Sequence, residues 1–242
     1  MNIAYIIGMV ICIAVLVLGL AGGLPPYHFE QIGNFFDPSS IMIVIGCSIA
    51  IVLASFPLKT FLSIPKHFAV MLKNPKQKPE TIIDALVDLA QIARKDGLLA
   101  LEEKAGEQED PFFKQAIMLI VDANDPDRVR ATLENDIECM SDRHNAAAAL
   151  YDKASAVSPA FGMVGTLVGL INMLKQMDPT EGSSDLGANM SVALITTFYG
   201  CLLAHMIFGP VANNLRIRDS EEVLNKMIIV EGITCIQAGE NP

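Results

Sequence analysis

Thr166 and Thr197 are the residues best placed to do chemistry in this chain. Each stands inside a long stretch free of Asp, Glu, Lys and Arg. A hydroxyl in such a place can offer an oxygen to a hard cation such as Na+. It can equally bond a carbonyl four residues back, the usual fate of a threonine in a membrane helix. Small residues run alongside at three- and four-residue spacing. One stretch has Gly162, Gly165, Thr166, Gly169 and Asn172; the other has Ala193, Thr197, Gly200 and Ala204. Such stripes let helix backbones approach where lipid gives no hydrophobic drive. Two readings stay open: the stripes pack on each other, or part of that surface faces a partner helix or an ion path.

Pro159 and Pro210 lie near the same end of these two stretches. Each removes a backbone hydrogen bond and invites a kink. They read either as helix-end punctuation or as a paired hinge at one membrane depth. His205 is an ionisable side chain deep in an apolar stretch, and such groups are functional suspects. The plainer reading is a neutral imidazole bonded to a neighbouring helix. No carboxylate accompanies any of these residues within the stretches. An ion carried across must therefore meet an acid from another chain. The pattern fits a subunit that surrounds a partner's ionisable group.

These residues need membrane helices to position them. The chain is 52% hydrophobic and 18% charged, with mean hydropathy +0.41. That is too apolar for an ordinary soluble domain and too charged for a bundle lying wholly in lipid. Four windows lack charge: Met1–Phe29, Pro38–Leu58, Ala154–Leu174 and Leu186–Leu215. About 21 helical residues cross a hydrocarbon core of about 30 Å. Four spans are expected, near 3–22, 40–57, 155–174 and 190–212. Residues 1–20 hold no Lys or Arg, so the basic region of a cleaved signal peptide is missing.

Basic residues set the orientation. The segment 58–154 holds thirteen, loop 22–39 none and loop 175–189 only Lys175. The positive-inside rule puts 58–154 and both termini in the cytoplasm. The fold class expected is an all-α membrane protein. Spans one and two occupy 1–57, a helical cytoplasmic domain 58–154, spans three and four 155–213, and a cytoplasmic C-terminal helix 214–242. Pro75 to Pro79 reads as a linker. Ile82, Ile83, Leu86, Leu89, Ala90 and Ala93 follow at helical spacing up to Gly97, a C-cap. Asp110-Pro111 and Asp125-Pro126 each pair an N-cap with proline at the first helical position. No Gly or Pro follows Asp125 until Pro159, so one helix is expected to run from the cytoplasm into span three. Arg216–Ile236 reads as a helix folding back on the cytoplasmic domain. The chain stops at Asn241-Pro242, an end expected of a truncated C-terminus.

Other chemistry finds little support. GxSxG, HExxH and Walker A sequences are missing, so no enzyme is expected. The four His residues are scattered, and no metal centre or cofactor is expected. The five Cys show no CxxC spacing and read as inert thiols in a reducing compartment. The net charge of −10 argues against nucleic acid as a partner. The run Arg94-Lys95-Asp96-Gly97-Leu98-Leu99-Ala100-Leu101-Glu102-Glu103 sets a basic and an acidic pair around a glycine break. It reads as a solvated face, with the basic pair complementing a helix C-terminus, or as a charged docking surface.

Three motifs together resemble the flagellar stator A subunit, the MotA/PomA family. They are Pro159-Ala160-Phe161-Gly162-Met163-Val164-Gly165-Thr166-Leu167-Val168-Gly169-Leu170, then Met177-Asp178-Pro179, then Val192-Ala193-Leu194-Ile195-Thr196-Thr197-Phe198-Tyr199-Gly200. The Arg94–Glu103 run resembles that family's rotor-facing segment. The resemblance covers nearly the whole chain. It implies a ring of five A subunits around two single-span B subunits (MotB/PomB type) in the bacterial inner membrane. Each B helix would bring the Asp that binds the transported Na+ or H+. Rotation of the ring would then drive the rotor's switch protein (FliG) through Arg94, Lys95, Glu102 and Glu103. The resemblance also implies that Pro159 and Pro210 couple ion binding to conformational change. Thr166 matches a threonine typical of sodium-type members, which favours sodium. Two alternatives remain: an energy transducer of the ExbB/TolQ type, normally with three spans, and a non-conducting membrane scaffold.

Overall fold

The computed structural model describes residues 3–23, 28–72, 78–175 and 186–240. Every regular element among them is helical. The expected break at Leu24–Pro26, the linker residues Pro75–Gln77 and the Met177–Pro179 motif lie outside the described residues.

Helix α1 spans Ile3–Leu20 and carries no charge. Gly22 and Gly23 follow at φ +106° and +73°, a region that glycine enters without steric cost. A short 3-10 helix, Phe29–Phe35, leads to α2, Pro38–Ser55. Asp37 caps α2: its carboxylate accepts from the Ser40 amide at 2.7 Å, with Pro38 in the first turn. Within α2 the turns Met42–Gly46 widen to π geometry. Two shorter helices follow, α3 (Leu58–Leu62) and α4 (Ile64–Leu72).

Helix α5 spans Pro79–Asp96 and ends at Gly97, whose φ of +85° stops it. A 3-10 turn, Leu98–Ala100, leads into α6 (Leu101–Glu107) and then α7 (Pro111–Val121). Asp110 caps α7 by accepting from the Phe112 amide at 3.1 Å. Helix α8 then runs without interruption over Pro126–Lys175, 50 residues, with Pro159 inside it. Helix α9 runs over Leu186–Ala238, 53 residues. The tail expected as a separate helix at Arg216 is the same helix as the fourth apolar stretch. It leaves that stretch with no turn, because nothing between Pro210 and Ala238 breaks a helix except Gly232, which is placed mid-helix.

Three described helices are long and apolar enough to cross a membrane: α2, α8 and α9. The apolar part of α1 described with its side chains is Tyr5–Leu20, which is shorter.

The chain divides into two compact units. One takes the residues up to 74 with 147–215; the other takes 75–146 with 216–242. In the first, Val52, Met71, Leu150, Tyr151, Ala154 and Val211 bury against one another. In the second, Ile82, Leu86 and Leu89 of α5 meet Phe113, Ile117 and Ile120 of α7. Val129, Leu133 and Ile137 of α8 and Ile229, Val230 and Ile233 of α9 close that core. The three-and-four spacing puts each set on one helix face. Each such side chain contributes roughly 1.5–3 kcal/mol on burial. The 53-residue α9 thus has an apolar N-terminal part and a C-terminal part whose Ile229, Val230 and Ile233 serve the core of the second unit.

Candidate functional site

The small-residue stripes of α8 and α9 face each other within the first unit. A Cβ added at Gly169 would stand 2.9 Å from the Ala193 Cβ and 2.8 Å from the Asn189 carbonyl oxygen. One at Gly165 would come within 2.5 Å of the Thr196 Cβ, and one at Gly162 within 3.2 Å of the Thr197 Cα. Gly200 meets Ser158 and Pro159 in the same way, its added Cβ falling 2.7 Å from the Ser158 carbonyl oxygen. Gly162, Gly169, Ala193 and Gly200 are therefore spent on contact between two helices of the same chain. Glycine and alanine are required there because backbone meets backbone.

Hydroxyls line this contact. Thr196 is fully buried and donates to the carbonyls of Val192 (3.0 Å) and Ala193 (2.9 Å). Ser158, also fully buried, donates to the Ala154 carbonyl at 2.7 Å and to the Ser48 hydroxyl of α2 at 3.3 Å. Ser48, Ser158 and Thr196 fall outside the residues that the small-residue spacing singles out. The signal in the sequence is that each is a hydroxyl residue in an uncharged stretch, and Ser158 sits beside Pro159.

Thr166 and Thr197 are only partly buried. Thr166 donates to the Met163 carbonyl at 2.6 Å, and Thr197 reaches the Ala193 carbonyl at 3.4 Å. These backbone bonds use each hydroxyl's proton and leave oxygen lone pairs for a cation. Met163, Leu167 and Leu170 beside Thr166 are exposed on the isolated chain, giving α8 a broad apolar flank.

The prolines are staggered. Pro159 meets Gly200, ten positions ahead of Pro210 in α9. The carbonyl of Ala204, which is fully buried, accepts from the Ser155 hydroxyl at 3.0 Å, one turn before Pro159. The same carbonyl accepts from the Gly209 amide, five residues on, in the π-type turn Leu203–Phe208. Pro210 follows at once and has no amide to give. The wide turn thus absorbs the proline and is tied to α8 by Ser155. Ten helical residues rise about 15 Å, so the two prolines stand nearly three helical turns apart along the pair, not at one level.

His205 is exposed on the isolated chain. The expected bond to a neighbouring helix is not made among the described residues. In the second unit, Asp219 of α9 is buried and accepts from Ser141 (2.7 Å) and His144 (2.8 Å), both on α8. This clasp joins the two long helices within the second unit. In the first unit the His67 ring bridges the hydroxyls of Ser63 (3.0 Å) and Tyr151 (3.1 Å). Tyr199 donates to the Phe35 carbonyl, and Phe35 packs on Phe198 with centroids 5.7 Å apart.

Arg94 and Lys95 are exposed in the last turn of α5, and Glu102 and Glu103 are exposed in the first turn of α6. Next to them Lys104 pairs with Glu107 at 2.8 Å in the open, a bond that steadies the surface more than it stabilises the fold. Among the described residues no group of His, Cys, Asp or Glu is arranged to hold a metal. Burial, with a hydrogen bond to Glu240 next, pushes the Cys235 thiol up from its ordinary pKa. That disfavours the reactive thiolate.

In the first unit two antiparallel helices are sealed by glycine, and their apolar stretches carry buried hydroxyls and no acid, which defines a membrane subunit without a carboxylate of its own in those stretches. Residues 104–227 match the MotA/TolQ/ExbB proton channel family, and the chain belongs to that family. It is 38% identical to the chemotaxis protein PomA of Vibrio alginolyticus, across all of this chain and 91% of that one. It is 36% identical to motility protein A of Borreliella burgdorferi, covering 100% of this chain and 90% of that one. Among solved structures, the C. jejuni MotAB structure gives a TM-score of 0.88 at 28% identity, over 100% of this chain and 92% of that one. The flagellar MotAB stator complex of Bacillus subtilis gives 0.85 at 31% identity, over 97% and 89%.

Proposed function

We propose that this chain is the A subunit of an ion-driven flagellar stator. The observation that carries this reading is likeness along the whole chain, in sequence to PomA and in fold to MotAB. A match confined to the last two spans would have left the transducer alternative equal.

In this reading α1 is the first of four spans, and both termini and the second unit are cytoplasmic. The thirteen basic residues of 58–154 support that orientation. The protein sits in the bacterial inner membrane, with lipid on its apolar flanks. Five copies surround two B subunits, whose Asp residues bind the ion. The acid-free spans support this division of labour: a lone carboxylate in lipid is costly and is brought only where it works. The exposed flank of α8 beside Thr166 is the surface offered to the B helix. Thr166 and Thr197 offer their oxygens to the ion in passing, with sodium favoured.

Work is done by differential binding. Ion arrival changes the charge on the B-subunit Asp and so changes which neighbouring A surface it prefers. An equilibrium moves only by that difference in free energy. The glycine-sealed pair of α8 and α9 responds as a rigid element, and Pro159 and the wide turn before Pro210 are where it gives. Arg94, Lys95, Glu102 and Glu103 carry the motion to the rotor's switch protein. No covalent chemistry is needed, and no cofactor beyond the transported ion.

The test is swimming in a strain without stators of its own, given this chain and its cognate B subunit. Sodium is replaced by potassium at fixed pH. Swimming lost in potassium supports the sodium reading; swimming kept in both makes the ion a proton and Thr166 a packing residue. Absence of swimming in both, with a compatible rotor, overturns the stator reading.

A further inference from the structure

Leu99 is held out in water by a turn built to hold it there. It sits in the 3-10 turn Leu98–Ala100 and is 74% exposed. The turn is pinned on both sides. The Gly97 amide bonds the Ala93 carbonyl at 3.0 Å, and the Ala100 amide bonds the Gly97 carbonyl at 3.2 Å. Leu98 packs against the core of the second unit, and Leu101 is completely buried in it. Two leucines thus anchor the turn, and the one between them has no part in the core.

An isolated exposed leucine needs no explanation. This one has company. Ile83 and Val87 of α5 are exposed as well, one turn apart. Helical spacing puts them on the same side of α5 as Arg94. Leu99 itself stands in a turn that follows Arg94 and Lys95 and precedes Glu102 and Glu103, all four exposed. An apolar centre ringed by charge of both signs is the anatomy of a protein-binding surface. A lipid surface fits poorly, because the acidic pair would face anionic headgroups.

We infer that Leu99 is the apolar anchor of the surface that grips the rotor protein. Its partner is a protein face with an apolar socket, acidic groups opposite Arg94 and Lys95, and basic groups opposite Glu102 and Glu103. The inference rests on the stator reading and deepens it. The charges steer the approach and set register, while the leucine supplies the short-range hold that lets torque pass without slipping.

The experiment uses the full chain with its B subunit in a stator-less strain, fluorescently tagged, with Leu99→Ala, Leu99→Asp and Leu99→Met. Stator units at each motor, torque per unit and ion conduction are read separately. Leu99→Ala is expected to lower occupancy about tenfold, the effect of truncating an interface hot spot. Leu99→Asp is expected to abolish capture, and Leu99→Met to retain it. Ion conduction and membrane content should not change. Unchanged occupancy and torque in Leu99→Ala overturns the inference while the stator reading stands. If Leu99→Asp is lost from the membrane, a photo-reactive residue at position 99 decides. Cross-linking to the rotor protein supports the inference; cross-linking only to another copy of this chain or to lipid refutes it. Failure of the unaltered chain to reach motors removes the stator reading and the inference together.

Discussion

Gly200 lies against Pro159 so closely that a Cβ on the glycine would stand 3.1 Å from the proline Cα. The contact is between two backbones, so neither side can give way by turning a side chain. It places the proline of one long helix under the direct control of the other. Gly200→Ala should therefore cost more than an ordinary overpacking change, about 1–3 kcal/mol. Thermal unfolding of the detergent-solubilised complex checks this. A variant as stable and as motile as the parent would mean the two helices part easily there.

Pro159→Ala restores a backbone donor within α8 and removes the reason for the helix to bend. We expect the variant to bind its B subunit normally and to lose rotation. Co-purification with the B subunit and a swimming assay separate the two effects. Full swimming would make Pro159 a passive element of the helix.

Asp219 holds Ser141 and His144 at 2.7 and 2.8 Å from its two oxygens. Asp219→Ala leaves two polar groups of α8 without their acceptor. The expected loss is about 1–3 kcal/mol in the second unit. Hydrogen exchange along 135–146 and 216–226 is the measurement. Faster exchange in both segments is the expected result, and unchanged exchange would show that the clasp carries no stability.

Gly232 sits beneath Leu86: an added Cβ would fall 2.5 Å from one methyl of that leucine and 3.0 Å from its Cγ. Gly232→Ala should destabilise the core by about 1–3 kcal/mol. Combining it with Leu86→Ala should cost less than the two changes summed, because the second removes the clash. Strict additivity in the unfolding free energies would count against this packing.

Thr166→Ala deletes an oxygen that already donates its proton to Met163 at 2.6 Å. If that oxygen serves the ion, the variant should need a higher sodium concentration for half-maximal speed, by about tenfold for a loss of 1.4 kcal/mol. Speed against sodium concentration, at fixed pH, is the readout. An unmoved midpoint would leave Thr166 with packing alone.

Much of this architecture is legible in residues close together in the chain. Asp37-Pro38 and Asp110-Pro111 announce helix starts because a cap and a fixed φ act locally. The run from Asp125 to Pro159 without a breaker announces a long helix. What stayed hidden depends on distant partners. Asp219 meets Ser141 and His144 across more than seventy residues. The wide turn at Leu203–Phe208 stands just before Pro210, which is local, but its tie to Ser155 through the Ala204 carbonyl reaches across forty-nine residues. The small-residue stripes were visible as stripes, yet spacing alone left open what they face. The union of the last apolar stretch with the tail was missed because a change of composition near Arg216 resembles a boundary, while the backbone has no reason to stop there.

The central claim is that an ion gradient acting through this chain turns a rotor. The most direct test is rotation of single tethered cells whose only stators are this chain and its B subunit, while an ionophore collapses the gradient and is then washed out. The account predicts rotation that stops with the gradient and resumes on its return, in steps as units engage. Rotation that persists without the gradient, or complexes that assemble at motors and never turn them, would contradict it.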